Sequence, residues 1–144
     1  MSQNLFRNSD GSIRNILENI EGIAFNENPL DFFIILARYK FGIRFIKNNN
    51  KVIDVGCGHG LGSVFLSKYA NSVIGADQDN DLVETNNSNY KNIKNLQFKH
   101  FDLLKPSKSF SNKFDVVISM DVIEHFSKEK LGTVVNSYYN LLNS

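Results

Sequence analysis

Residues 52–62 read VIDVGCGHGLG, and this stretch decides the fold of the chain. An apolar, β-favouring run leads into glycines at every second position, which are Gly56, Gly58, Gly60 and Gly62. Glycine suits a turn whose backbone needs positive φ and must let a ligand come close. Apolar residues at 64–66 then begin a helix, and a helix start offers N–H groups and a positive dipole end. The stretch therefore predicts a strand, a glycine turn and a helix that together form a small-molecule site.

The composition indicates one ordinary globular domain with a small, roughly neutral partner. The chain has 144 residues, of which 42% are hydrophobic and 22% charged, and its formal net charge is +1. Such a charge gives no broad field that would hold nucleic acid or an anionic membrane, so neither is expected as a partner. No apolar run approaches the roughly 20 residues of a membrane span, and the first residues lack a signal-peptide pattern. With a single cysteine, Cys57, these features predict a cytoplasmic protein.

Strand and helix patterns alternate along the chain. An N-terminal helical extension is predicted over 1–29, and a second helix over 30–46. After the glycine turn, strands are predicted at 72–77, 96–101 and 114–120, and helices at 61–70, 79–90 and 127–142. The helix at 79–90 is polar and is expected on the outer surface, whereas the strand at 114–120 is expected to be buried on both faces. This alternation predicts an α/β fold with a parallel sheet and right-handed crossovers.

Asp77 ends the second predicted strand, about 20 residues after the glycine turn. That spacing is expected for the carboxylate that binds ribose hydroxyls in a βαβ nucleotide unit. A nicotinamide-dependent dehydrogenase shares this unit, but its G-x-G-x-x-G spacing is not met. The third glycine would fall at Leu61 when counted from Gly56, or at Ser63 when counted from Gly58. The sequence therefore disfavours a dehydrogenase.

Four segments, VIDVGCGHG, VIGADQD, FKHFDLL and FDVVISMDVIEHF, stand in the order and spacing of the class I S-adenosylmethionine-dependent methyltransferases. The chain resembles this family over about 30–142, and its last segment is most similar to the small-molecule branch typified by ubiquinone-biosynthesis O-methyltransferases. The amino-methylating nucleic-acid branch would carry Asn-Pro-Pro-aromatic where Ser119-Met-Asp-Val stands. The resemblance implies a Rossmann-like, doubly wound parallel sheet with helices on both faces, and a domain over 30–144 that binds S-adenosyl-L-methionine.

The resemblance also implies the reaction and the cofactor contacts. A methyl group passes to a small-molecule acceptor, with a hydroxyl oxygen favoured, and S-adenosyl-L-homocysteine is the product; N- or C-methylation is the alternative. Asp54 pairs with the ammonium of the cofactor, and N–H groups of the glycine turn serve its carboxylate. Asp77 accepts both ribose hydroxyls. The implied cofactor-binding residues are Asp54, Gly56, Cys57, Gly58, Gly60, Asp77, Gln78, Asp102, Leu103 and Ser119.

Within that set, Gln78 is expected against the adenine, Asp102 accepts from the adenine amino group, and Leu103 packs on the ring. Ser119 lines the floor of the pocket. Two plainer interpretations stay open. Asp102 is a turn residue in one of them, and Asp79 and Asp81 are helix caps in the other.

Asp121, Glu124 and His125 form a second group with chemical potential. At offsets of three and four in a helix or turn, their side chains share one face, where the acceptor is expected. In one interpretation His125 is the general base that takes a proton from an acceptor hydroxyl. In another, all three ligate a divalent cation that lowers the pKa of the acceptor; the base is favoured and no metal ligand is assigned. In a third, Glu124 and His125 only brace the loop.

The resemblance further implies seven strands in the spatial order 3-2-1-4-5-7-6, of which this sequence supplies four. Strand four would then be an uncovered sheet edge, which is an aggregation hazard. We expect a chain truncated after the fourth strand, whose edge is covered by a missing carboxyl-terminal half or by a second copy in a homodimer. On this expectation the chain alone binds the cofactor without efficient catalysis, and a non-catalytic cofactor-binding domain is the alternative function.

Overall fold

The computed structural model describes residues 29–143, and the extension predicted over 1–29, apart from Pro29, lies outside the described residues. The helices are α1 (Pro29–Gly42), α2 (Leu61–Leu66), α3 (Asn80–Asn89) and α4 (Leu131–Leu141). The strands are β1 (Lys51–Val55), β2 (Ser72–Asp77), β3 (Leu96–His100) and β4 (Val116–Ile118). Four single 3₁₀ turns span Ile43–Phe45, Lys108–Phe110, Ile123–His125 and Lys128–Lys130. None of the described helices is long and apolar enough to cross a membrane.

The four described strands form one parallel sheet in the order β3-β2-β1-β4. In the register, Asp54 of β1 lies opposite Gly75 of β2 on one side and Ile118 of β4 on the other. This order matches the first four positions of the predicted one. The predicted α/β class with a doubly wound parallel sheet is confirmed.

Helices and loops pack on both faces of the sheet, because alternate side chains of a strand point to opposite faces. Ile53 and Ala76 belong to a buried apolar cluster that includes Val134 and Leu141 of α4. On the opposite face, Gly75 lies under α2, since a Cβ atom at this position would come within 2.8 Å of Ser63 Oγ. The sheet is therefore the central layer of the described fold.

Helix α1 crosses a division of the chain into two compact units, which falls between Ala37 and Arg38. In the second unit, the ring of buried Tyr39 packs directly over Gly62 of α2. Gly42 approaches Ile118 of β4, with 3.2 Å between an added Cβ and Ile118 Cδ1. The helix ends at Gly42, not at the predicted residue 46, and a 3₁₀ turn follows it.

Helix α3 lies on the outer surface, as predicted for 79–90, and most of its residues are exposed. Two of its polar side chains nevertheless bind backbone groups of neighbouring segments. Asn86 of α3 is buried, and its Nδ2 donates to the carbonyl oxygen of Gly58 at 2.7 Å. Asn87 holds both backbone groups of Phe98 on the outer strand β3, at 2.9 and 3.0 Å. The side chain of Asp79 caps α3 by accepting from two N–H groups, so the cap interpretation of Asp79 is confirmed. Hydrogen bonds from polar side chains to backbone groups thus attach this helix to the fold. Hydrophobic periodicity carries no information about such contacts.

Strand β4 is shorter and less buried than predicted. It covers three residues, and only Ile118 is fully buried. Before it, Phe114 makes an isolated parallel bridge to Leu142, and the N–H of Asn143 donates to the Phe114 carbonyl at 2.8 Å. The last helix begins at Leu131, not at 127, because a 3₁₀ turn precedes it.

Gly62→Ala tests the packing of Tyr39 on the glycine turn, and Gly132→Ala is the matched control. A Cβ at Gly62 would lie 2.0 Å from Tyr39 Cζ, whereas a Cβ at Gly132 meets nothing within 4 Å. We expect Gly62→Ala to lower the free energy of unfolding by about 1–3 kcal/mol through overpacking. Gly132→Ala should raise it by roughly 0.5–1 kcal/mol. Urea denaturation of both variants measures the difference, and equal effects would contradict the packing.

Candidate functional site

The glycine turn is held on the end of β2 by its own N–H groups. Gly56, Gly58 and Gly60 have φ values of 74°, 52° and 84°, which side chains with a Cβ rarely adopt. The N–H groups of Gly56 and Cys57 both donate to the carbonyl of Ala76, at 2.7 and 3.1 Å. The N–H of Gly60 donates to Cys57 at 3.0 Å. These groups fix the shape of the turn, and their predicted hydrogen bonds to the carboxylate of a ligand stay a prediction.

The Asp77 carboxylate is oriented by two backbone groups. One oxygen accepts from the N–H of Gly58 at 3.0 Å, and the other accepts from the N–H of Asp79 at 3.1 Å. An ionised carboxylate has about four acceptor sites, so each oxygen keeps capacity for another donor. A ligand with two neighbouring hydroxyls could use both oxygens.

Asp77 lines a cavity of about 250 Å³ at the carboxyl ends of the strands. Open α/β sheets bind ligands at this edge, where the strand order reverses beside β1. The cavity brings together six of the predicted site residues, which are Gly56, Asp77, Gln78, Leu103, Asp121 and His125. It also includes four apolar residues that the sequence reasoning missed, which are Val55, Phe101, Val122 and Phe126. In the sequence, only their positions at or soon after the end of a strand could have indicated that these four residues line the cavity.

Val122 closes one side of the cavity against the glycine turn. A Cβ at Gly56 would come within 2.3 Å of Val122 Cγ2, so only glycine allows this contact. A Cβ at Gly58 would meet nothing within 4 Å. The space where a side chain of residue 58 would stand is therefore empty, and a ligand can approach the backbone closely from that side.

Asp54 lies beneath the turn and is fully buried, outside the lining of the cavity. Ser63 Oγ donates to its carboxylate at 2.6 Å, and the Tyr39 hydroxyl lies 3.2 and 3.3 Å from the two oxygens. Burial raises the pKa of Asp54 to about 6, against the lowering effect of the two hydroxyl hydrogen bonds. Asp54 therefore links α1, the turn and α2, and its contact with a ligand ammonium stays a prediction.

Three further predicted residues make structural contacts outside the cavity lining. Asp102 Oδ1 accepts from the N–H of Leu104 at 2.8 Å, as its turn interpretation predicts. Ser119 Oγ contacts the Val55 carbonyl at 3.2 Å and the Tyr138 hydroxyl at 2.8 Å, which joins β4 to β1 and α4. Burial raises the pKa of the Cys57 thiol, so this thiol stays protonated and unreactive.

The segment DVIEHF includes a 3₁₀ turn over Ile123–His125. Asp121, Glu124 and His125 are all exposed, and only Asp121 and His125 line the cavity. Within 29–143 no three His, Cys, Asp or Glu side chains come together as metal ligands, so the alternative with three metal ligands here is not formed. Asp121 instead forms an ion pair with Arg38, which sequence reasoning missed because 83 residues separate the partners.

The charge of the cavity suits a cationic ligand. Its lining carries two carboxylates, Asp77 and Asp121, and neither lysine nor arginine. A sulfonium centre with a neighbouring ribose diol fits this donor set, because the diol pairs with Asp77, which no described lysine or arginine pairs with, whereas Asp121 is already paired with Arg38.

The chain matches a known protein family over most of its length. The model of a family described as a methyltransferase domain matches residues 52–144. The chain belongs to this methyltransferase-domain family. Its fold is that of the class I enzymes, for which S-adenosylmethionine is the implied cofactor.

Curated relatives of this methyltransferase domain act on different kinds of acceptor, as their names state. An uncharacterized RNA methyltransferase of Mycoplasma mobile is 37% identical over 76 residues, which are 51% of this chain and 21% of that protein. A ubiquinone biosynthesis O-methyltransferase of Pelagibacter ubique is 34% identical over 80 residues, or 54% and 32% of the two chains. An rRNA adenine N-6-methyltransferase of Bacteroides fragilis is 33% identical over 93 residues, or 60% and 35%. The chain spans about a fifth to a third of these relatives.

Solved structures show the same architecture. The PH0226 protein of Pyrococcus horikoshii superimposes with a TM-score of 0.68 at 27% identity, covering 81% of this chain and 55% of that one. A TehB-like SAM-dependent methyltransferase of Corynebacterium glutamicum gives a TM-score of 0.63 at 21% identity, covering 83% and 68%. These likenesses confirm the predicted Rossmann-like fold.

The buried Asp54 makes a pH-dependent contribution to stability. Its pKa lies above that of an unfolded chain, so this contribution is complete below the unfolded pKa of 3.8 and is lost as pH rises through about 6. Between about pH 4 and pH 7 we expect the free energy of unfolding to fall by about 3 kcal/mol relative to Asp54→Asn, which does not ionise. Denaturant titrations at several pH values measure this difference.

Tyr39→Phe serves as the companion variant, because it keeps the ring over Gly62 but removes one donor to Asp54. The loss of this donor should enlarge the fall in stability between the same pH values. Parallel pH profiles for the natural chain and Asp54→Asn would contradict the buried carboxylate.

Proposed function

We propose that this domain binds S-adenosylmethionine in the cavity and transfers its methyl group to a small-molecule acceptor, most simply a hydroxyl oxygen. The proposal extends to the branch that resembles ubiquinone-biosynthesis O-methyltransferases. The observation that carries it is the Asp77 carboxylate, fixed by two N–H groups at the sheet edge, in one cavity with His125. The Asp77 carboxylate suits the hydroxyls of a ribose, and the His125 imidazole suits proton transfer from an acceptor.

In this proposal Asp77 and Leu103 keep their predicted roles, and Phe101 is added to them. Asp77 accepts from the ribose hydroxyls, and Leu103 and Phe101 give apolar surface for the adenine. When bound, the cofactor supplies a methyl group already activated on a sulfonium sulfur. The domain then has to hold that methyl group in line with the acceptor atom, and such positioning lowers barriers by up to about 7–11 kcal/mol in favourable systems. The apolar side chains Val122 and Phe126 exclude water from this space.

His125 is the proposed general base. Its imidazole lines the cavity on a short turn, and imidazole is the side chain best suited to take a proton near neutral pH. Asp121 shares the cavity but is held by Arg38, so its charge is partly balanced. Glu124, the third predicted catalytic residue, lies outside the lining of the cavity, which favours a minor role for it.

Methylation of a nucleic-acid nitrogen is the second candidate, because two of the curated relatives are named for RNA substrates. Against it stand the Ser119-Met-Asp-Val sequence after β4 and the small volume of the cavity. A non-catalytic cofactor-binding domain is the third candidate. As partners we propose the small-molecule acceptor and, along β4, either a second copy or a further strand, since only Phe114 is bridged on that side within the described residues.

Asp77→Ala tests the cofactor site. Loss of the charged hydrogen bonds to the ribose should weaken S-adenosylhomocysteine by about 1.5–3 kcal/mol in calorimetry. Asp115→Asn, an exposed carboxylate at the opposite end of the sheet, is the matched control and should leave the affinity unchanged. Binding of NAD in place of S-adenosylhomocysteine, or equal affinity in both variants, would refute the assignment.

His125→Ala tests the general base, with Glu124→Gln as the neighbouring control. Release of S-adenosylhomocysteine in the presence of hydroxylated aromatic probes should fall by about 10²–10⁴-fold in His125→Ala. Glu124→Gln and added EDTA should change the rate little. Loss of activity with EDTA alone would point to a metal, and equal losses in both variants would indicate a bracing role for the turn.

A further inference from the structure

A second cavity, of about 560 Å³, lies beside the apolar cluster on one face of the sheet. Its lining begins at Lys51 and Ser72, the first residues of β1 and β2, and reaches Lys99, the fourth residue of β3, which lies opposite Ala76. The two cavities share no lining residue, so they are separate sites.

The second cavity is rimmed by positive charge. Lys51, Lys99 and Lys113 line it, and its lining contains no aspartate or glutamate. Within 29–143 none of the three lysines forms an ion pair, because the single pair there joins Arg38 and Asp121. The first cavity has the opposite character, with two carboxylates and no lysine or arginine.

Asp115 is an acidic residue next to Lys51, and its carboxylate already accepts two hydrogen bonds. One oxygen accepts from the backbone N–H of Lys51 at 2.6 Å, and the other accepts from Asn143 Nδ2 at 2.9 Å. These hydrogen bonds and the charge of Lys51 hold its pKa below the ordinary value, so it stays ionised. One exposed carboxylate leaves the rim with an excess of positive charge.

The positive charge continues into an adjoining cavity of about 500 Å³. The adjoining cavity shares Asn112 with the lysine-rimmed cavity. It adds Lys108 and no acidic residue. The floor of the lysine-rimmed cavity is apolar, since Phe110 and Phe114 are buried there with their rings stacked at 6.5 Å. The other polar groups of the lining, Ser72, Ser109, Asn112 and Asn143, are uncharged and leave the charge of the lysines unbalanced.

We propose that the lysine-rimmed cavity, defined by Lys51, Lys99 and Lys113, binds a small ligand that carries several phosphate charges. Lysine binds phosphate oxygens as a compact point charge, and three lysines balance more charge than one carboxylate supplies. The volume lies in the range of small-molecule sites. Because the proposed function places methyl transfer in the first cavity, this ligand anchors or regulates the domain and does not react there.

Calorimetry with inorganic tripolyphosphate tests the site, in the presence of saturating S-adenosylhomocysteine so that the first cavity is occupied. Tripolyphosphate has no base or sugar, so it reports the charge recognition alone. We expect one site per chain at low salt, with an affinity that weakens as salt screens the lysines. Lys99→Gln and Lys113→Gln should each weaken binding about tenfold or more, as the loss of a charged hydrogen bond implies.

Lys68→Gln and Lys91→Gln are the matched controls, because both lysines are exposed and neither lines the cavity. They should bind tripolyphosphate as the natural chain does, and unchanged thermal unfolding confirms that all four variants fold. No binding at low salt, or equal losses in the four variants, would overturn the site in favour of diffuse surface charge. Much tighter binding of a short single-stranded RNA, lost with Lys99 and Lys113, would overturn the small-ligand proposal and assign the surface to nucleic acid.

Discussion

The site depends on the hydrogen bonds that fasten the glycine turn to the end of β2. Gly56 and Cys57 donate to the carbonyl of Ala76, and Gly58 donates to the side chain of the next residue, Asp77. From the other side, Asn86 donates to the Gly58 carbonyl. These contacts need positive φ in the turn, which glycine adopts without strain. The Asp77 carboxylate is consequently oriented by the protein itself, and a ligand has no cost of ordering it.

Charge is distributed unevenly between the two cavities. The cavity at the carboxyl ends of the strands holds carboxylates, and the cavity on the face of the sheet is rimmed by lysines. A formal net charge of +1 averages these regions and hides both of them. Composition correctly indicates the absence of a strong overall field, but local recognition follows from which residues line each cavity.

The sequence was sufficient for the fold and for part of the site. Alternating glycines and alternating strand and helix patterns predicted the parallel sheet, and the position of Asp77 at a strand end placed it in the cavity. Arg38 and Asn86 could not be found in this way, because their partners lie 83 and 28 residues away. Both act through polar side chains on helices, where hydrophobic periodicity contains no information about the partner. The apolar lining residues were missed for a related reason, since an apolar residue near a strand end is equally typical of the core.

Asp54 shows that a residue of the glycine motif can also stabilise the structure around it. A carboxylate with no exposed surface loses its hydration, and the raised pKa records that cost. Hydroxyls from Ser63 and Tyr39 offset part of it, and in doing so they join α2 and the end of α1 to the strand below the turn. The glycines serve both purposes, since Gly58 leaves the backbone open to a ligand and Gly62 allows Tyr39 to come close. The motif therefore has two sets of residues, one that faces the cavity and one that holds the first set in place, and spacing along the chain does not separate them.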